Sequence, residues 1–129
     1  MQSRSPRILE GFEAVIDRVV HAPDLPAPPD QPHPFVYFIT IRNGSDRTVT
    51  VKGRKWVVRG EDGQVTAVEG DGVVGCFPRL ESGEHFSYNS YHTVAVPSVA
   101  EGAYLAVTDD GEAVMAVIPP FDLVPPEGL

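Results

Sequence analysis

Residues 34–43 read PFVYFITIRN, and the way their side chains alternate decides what fold this chain can make. Phe35, Tyr37, Ile39 and Ile41 fall on one side of an extended backbone, and Val36, Phe38, Thr40 and Arg42 fall on the other. A period of two in β-branched and aromatic residues is the signature of a strand. Asn43-Gly44 follows, a pair suited to the positive φ of a turn. Toward the C-terminus, Val49 and Val51 open a second strand that Gly53 interrupts before Trp56, Val57 and Val58 resume it. Glu61-Asp62-Gly63 marks a hairpin, Gln64 to Val68 returns, and a glycine-rich loop spans Gly70 to Gly83. A strand around His85 to Tyr91 and a hairpin of Tyr104 to Val107 and Ala113 to Ile118 about Asp109-Asp110-Gly111 complete that half. Toward the N-terminus, residues 23–34 hold six of the thirteen prolines, which excludes a helix or central strand and leaves an extended connection. Phe12 to Val20 fits either period and is read as a strand. About seven strands with frequent turns and no helix of adequate length predict a single all-β sandwich domain over residues 1–129.

Bulk properties narrow the function classes. A chain of 129 residues can bury a core without covalent staples, and one cysteine, Cys76, excludes an internal disulfide. The N-terminal arginines are followed by Glu10, Glu13 and Asp17 instead of an apolar signal core, and no apolar run approaches the roughly 20 residues of a membrane helix. A soluble cytoplasmic protein is expected. The net charge of −8 opposes nucleic acid and anionic membranes as partners. Arg42, Arg47, Lys52, Arg54, Lys55 and Arg59 gather six of the ten basic residues ahead of an acidic stretch. Cross-strand pairing of solvated faces is the plain reading, and a small anion site the sharper one.

Gly70, Gly72 and Gly75 stand at the spacing G-x-G-x-x-G, which in dinucleotide-binding proteins joins a strand to a helix whose amides face the pyrophosphate. Here Pro78 would break such a helix, Asn89-Ser90-Tyr91 occupies the place of the ribose-binding acid, and no Lys-Ser/Thr pair follows for a Walker loop. The glycines are expected to serve the backbone, with Val73 and Val74 anchoring the loop on the core. Among the histidines at 21, 33, 85 and 92, none shows a metal-ligand spacing, although His85 and His92 could meet in space. Asp109, Asp110 and Glu112 offer oxygen ligands to a hard cation, and also make an ordinary turn. Cys76 lacks a neighbouring base, and Trp56 reads as core. No catalytic constellation, cofactor or metal is expected.

Gly70-x-Gly72-Val73-Val74-Gly75-x-x-Pro78-x-Leu80, then Gly83-Glu84-x-Phe86-x-Tyr88-x-Ser90, and Ile118-Pro119-x-Phe121-x-Leu123 resemble the ApaG family, or DUF525, as do Arg54-x-Trp56 and Gly102-x-Tyr104. The similarity runs from about residue 12 to 123. Departures fall at Asn89-Ser90-Tyr91-His92, where members commonly read Thr-Ser-Gly-Cys, and at Pro97-Ser98-Val99, where Pro-Ser-Gly is usual. The resemblance implies an immunoglobulin-like or fibronectin type III-like sandwich. It also implies a genetic link, in bacteria, to diadenosine tetraphosphate hydrolysis and to cobalt and magnesium tolerance, and a role as an interaction module in eukaryotic F-box and polymerase-interacting proteins. A non-enzymatic module binding a protein partner is therefore expected. Its working surface is placed at Gly70, Gly72, Gly75, Phe77 and Arg79, with Arg54 and Lys55 steering an acidic partner. The alternative is a small-anion or pyrophosphate binder using the same glycine-rich loop.

Overall fold

A computed structural model describes residues 6–127, in which nine strands and no helix are found. They are β1 (Arg7–Ile8), β2 (Phe12–His21), β3 (His33–Asn43), β4 (Val49–Gly60), β5 (Val65–Asp71), β6 (Arg79–Leu80), β7 (His85–Val94), β8 (Ser98–Thr108) and β9 (Ala113–Leu123). One sheet runs β1-β9-β8-β4-β5, with β6 pairing the start of β4; the other runs β2-β3-β7. Every pairing is antiparallel except that of β1 with β9. The two sheets form a β-sandwich whose closed side brings β2 against β9. On its open side β5 and β7 are the edge strands.

The alternation in β3 is realised residue by residue. Phe35, Tyr37, Ile39 and Ile41 are buried, while Val36, Phe38 and Thr40 are partly exposed and Arg42 is exposed. From the opposite sheet Val49, Val51, Trp56, Tyr104, Val114, Ala116 and Ile118 complete the core. Residues 12–21 are a strand, and the connection covers residues 22–32; His33 and Pro34, expected to belong to it, instead open β3, the central strand of its sheet, with Pro34 near its start. Two strands, β1 and β6, are only two residues long, too short for any alternation to mark them. Pro119 and Pro120 lie inside β9, where the pairing with β8 shifts register between Ala100 and Gly102, so their missing amides fall at an irregularity.

Three local expectations are corrected. Asn43-Gly44 makes no positive-φ turn: Asn43 ends β3 as a buried corner. Its Nδ2 donates to the carbonyls of Arg47 (2.6 Å) and Leu80 (2.9 Å), while its Oδ1 accepts from the Ser45 amide (3.1 Å) and hydroxyl (2.6 Å). Val73 is fully buried, but Val74 points outward and anchors nothing. The glycine-rich loop is shorter than read, because Gly70 and Asp71 finish β5 and β6 interrupts it.

A bulge in β4 positions everything that follows. Between Val51 and Gly53 the register with β8 slips by one, so the inward set changes from Val49 and Val51 to Arg54, Trp56 and Val58. Without that slip Arg54 would face solvent and Lys55 the interior.

Candidate functional site

Two surfaces converge on the segment the sequence singled out, one at the tip of the glycine loop and one beneath its start. At the tip, Val73 and Cys76 exchange two backbone hydrogen bonds (2.8 and 2.9 Å) around Val74-Gly75. Both turn residues have positive φ, +43° for Val74 and +80° for Gly75, the twist that a two-residue hairpin requires. Glycine meets this at no steric cost, whereas a β-branched residue in the left-handed region is strained. Gly72, at φ +62°, donates its amide to the Lys52 carbonyl (2.8 Å), and the Pro78 carbonyl accepts from the Val51 amide (2.8 Å). The loop is thus stitched to the β4 bulge from both sides. The amides of Gly72, Val73 and Cys76 are consumed by these bonds and no helix follows, so the arrangement differs from a dinucleotide-binding turn.

Three apolar or soft side chains crown this turn. Val74 and Phe77 are 52% and 55% exposed, and Cys76 is exposed beside them. The Phe77 ring passes beside Gly72: a Cβ there would lie 3.4 Å from the ring's Cε1, and it would clash with the Cys76 carbonyl. The neighbouring cations separate. Arg79 pairs with Asp109 at 2.9 Å across to the β8–β9 turn, and Lys55 pairs with Glu69 at 3.6 Å on the outer face of the sheet. Lys52, exposed next to the tip, has no carboxylate partner among the described residues.

Beneath the loop, Arg54 turns into the open side of the sandwich. Its guanidinium lies flat on Gly70, where a Cβ would stand 2.7 Å from Cζ, Nη1 and Nη2 alike, so the close approach requires glycine. Nη1 donates to the carbonyls of Asp71 (2.9 Å) and Gly72 (3.2 Å). Arg54 closes one end of a cleft of about 600 Å³ between β4 and β5 on one side and β7 on the other. Tyr37, Trp56 and His92 stack at its base, with ring centroids 4.7 to 4.9 Å apart. Pro26 and Pro28 of the connection form the outer wall, pinned to β7 by the Tyr91 hydroxyl donating to the Pro26 carbonyl at 3.1 Å. Burial raises the Tyr37, Tyr88 and Tyr104 hydroxyls above the usual phenol range, against which the nearby Arg54 charge pulls. Burial also pushes His92 down to about 4, which keeps its imidazole neutral at pH 7.

The remaining candidates resolve simply. His85 and His92 stand seven positions apart on β7 and face opposite sides, so the strand keeps them from meeting. No cluster of three metal-ligating side chains occurs among the described residues. Asp110 and Glu112 are held by Arg47 and Arg7, and the pairing draws both carboxyls below their usual range: hydrogen bonds from Thr108 and then Arg47 lead for Asp110, and one from Arg7 for Glu112. Sequence reading missed the hydroxyls of Tyr37, Tyr88, Tyr104 and Ser90, although Phe86, Tyr88, Ser90 and His92 alternate inward along β7 as plainly as β3 does. No helix among the described residues is long and apolar enough to cross a membrane.

Comparison with known proteins agrees with this architecture. The family model described as the ApaG domain matches residues 23–108. Protein ApaG of Vibrio cholerae is 41% identical over 96 residues, covering 74% of this chain and 76% of its own. That of Anaeromyxobacter dehalogenans is 36% identical over 128 residues, covering 97% and 98%. A structural-genomics X-ray structure superposes with a TM-score of 0.81 at 27% identity, covering 92% of this chain and 90% of the other. A Bordetella pertussis crystal structure carrying the name ApaA gives 0.77 at 26% identity, covering 95% and 99%. With the domain model spanning two-thirds of the residues and relatives aligning nearly end to end, the chain belongs to the ApaG domain family.

Proposed function

We propose that this chain is a non-catalytic recognition module that docks a protein partner on the turn at residues 73–77. The observation that carries the reading is the pair Val74 and Phe77, more than half exposed on a turn in which Val74 holds a left-handed φ. An exposed valine does nothing for the core in that position, and Gly or Asn would fit the backbone better. Strain retained at an apolar, solvent-facing tip is accounted for by a surface that uses the side chain. The tip is also pre-organised in its backbone: the Val73–Cys76 bonds and the bonds to β4 fix the turn, so little backbone entropy is lost when a partner closes over it. Large rigid aromatic side chains are effective interface anchors. Lys52, without a carboxylate partner among the described residues, supplies a positive charge at the rim suited to steering an acidic partner. Arg79, already paired with Asp109, contributes orientation more than affinity.

The test is capture of co-purifying protein by the intact chain against Phe77→Ala and Val74→Asn, each first matched to the parent in thermal unfolding. Loss of a specific partner in Phe77→Ala, with retention in Arg79→Ala, is the expected result. Retention of the same partner by both tip variants refutes docking at this turn.

A further inference from the structure

We propose that the cleft between β5 and β7 is a ligand site of its own, taking a small monocarboxylate with an apolar body whose carboxylate sits against Arg54. Arg54 is placed inward by the β4 bulge, and an inward arginine is ordinarily matched by a carboxylate. None pairs with it among the described residues; its only partners are the carbonyls of Asp71 and Gly72, both bonded through Nη1. Nε and Nη2 are left over. Together they form a planar two-toothed edge that fits the two oxygens of a carboxylate. Gly70 fixes the guanidinium plane, so the fork is aimed before anything binds.

The rest of the cleft sets the ligand's charge and body. Asp30 and Asp62 are exposed along its rim, and the protein carries −8 overall, a field that opposes a multiply charged phosphate but leaves room for one negative charge at one arginine. Ser90 and Tyr37 add hydroxyl donors, and Trp56, 2% exposed, carries an indole N–H with no hydrogen-bond partner. Arg54 and the Trp56 indole N–H call for acceptors on the ligand. Val58 and Val68 on one wall and Pro26 and Pro28 on the other supply apolar surface beside the polar Gln31, Gln64, Thr66 and Thr93. A volume of about 600 Å³ suits a small organic molecule rather than a bare ion. This site is separate from the turn at 73–77 and stands or falls without it.

Trp56 is the single tryptophan, so its indole N–H gives one nuclear magnetic resonance signal that reports on the base of this cleft alone. The intact protein is titrated with phenylacetate and benzoate, with phenylacetamide as the neutral isostere, and with orthophosphate and pyrophosphate. The expected result is a saturable shift of the indole signal and of the Arg54 Nε–H signal with a carboxylate. Affinity for the amide should be at least tenfold weaker, and the phosphates should not saturate. Arg54→Gln should weaken carboxylate binding at least tenfold, while Lys55→Gln on the outer face should leave it unchanged. Absence of saturation by either carboxylate overturns the proposal, as does equal binding of the amide or saturation by pyrophosphate alone. If Arg54→Gln fails to fold, the Arg54 Nε–H response of the unmodified protein to acid against amide decides the matter.

Discussion

Replacing Asn43 with alanine removes four hydrogen bonds at once, three of them buried, which makes it the sharpest single test of how the two sheets are tied together. Asn43 is 1% exposed and joins three chain segments: the end of β3, the turn through Ser45 and Arg47, and β6 through the Leu80 carbonyl. A hydrogen bond contributes about 1 kcal/mol net, and a buried group left unpaired costs about 1–3 kcal/mol. The Ser45 hydroxyl can still reach the Arg47 carbonyl, to which it stands at 3.2 Å, and the Leu80 carbonyl lies in the β4–β6 ladder opposite Val49, so the Ser45 amide is the partner left orphaned. The loss should therefore be about 3–4 kcal/mol, or a fall in Tm of roughly 10–15 °C for a domain of this size. Urea unfolding should show a lower midpoint with an unchanged slope. Ser45→Ala removes the hydroxyl's bonds to Asn43 Oδ1 and to Arg47 but spares the Ser45 amide and Leu80, and should cost about half as much. A loss below about 1 kcal/mol in Asn43→Ala, or equality of the two variants, would refute the corner as a structural tie.

Three further outcomes are expected. Gly72→Ala, at φ +62° with its new Cβ driven into the Cys76 carbonyl, should destabilise by at least about 1–2 kcal/mol, read by chemical denaturation. His92 is held neutral, its pKa down at about 4 against 6.5 when unfolded, so the unfolded chain binds the extra proton between those values. Stability from this residue is complete above pH 6.5 and declines as pH falls toward 4, by roughly 3 kcal/mol at most, and His92→Gln should flatten the pH 4.5–6.5 limb of the stability curve. Gly70→Ala, which pushes the guanidinium of Arg54 off its seat, should shift the Trp56 indole resonance and leave the outer-face pair Lys55–Glu69 unaltered; an unperturbed indole signal would show that Arg54 does not rest there.

β3 was legible because one face is buried along its whole length and nothing interrupts its period of two. β4 was harder: Val49 and Val51 lie on odd positions and Arg54, Trp56 and Val58 on even ones, and only the bulge beside Gly53 reconciles them. Arg54 and Lys55 therefore entered together as a basic pair, whereas the slip sends one inward and the other outward. The corner at Asn43 was misread because Asn-Gly is a strong local turn signal, overridden here by four long-range and local side-chain bonds. Phe77 could be named from its chemistry, but its exposure depends on how the turn at 73–76 carries it away from the core, and that cannot be read from spacing. Val74 illustrates the converse, since β-branching argues against the φ it adopts. The cleft lies where β5 and β7 are the open-side edge strands of their sheets, a consequence of strand order, which alternation does not encode.

β5 leaves its outer edge unpaired and is exposed on nearly all of its residues, including Val65 and Val68. Such a strand is an open template for self-association, and proteins commonly blunt it with charge. Here the guard is thin locally, Glu69 and Asp71 on the strand itself, so mutual repulsion between molecules carrying −8 must do most of the work. That repulsion fades as the solution approaches the isoelectric point near pH 4.8 and is screened by salt. Colloidal stability is thus coupled to acidity through the charge of the whole molecule, and mildly acidic, high-salt solutions are where molecules of this protein should begin to zip together edge to edge.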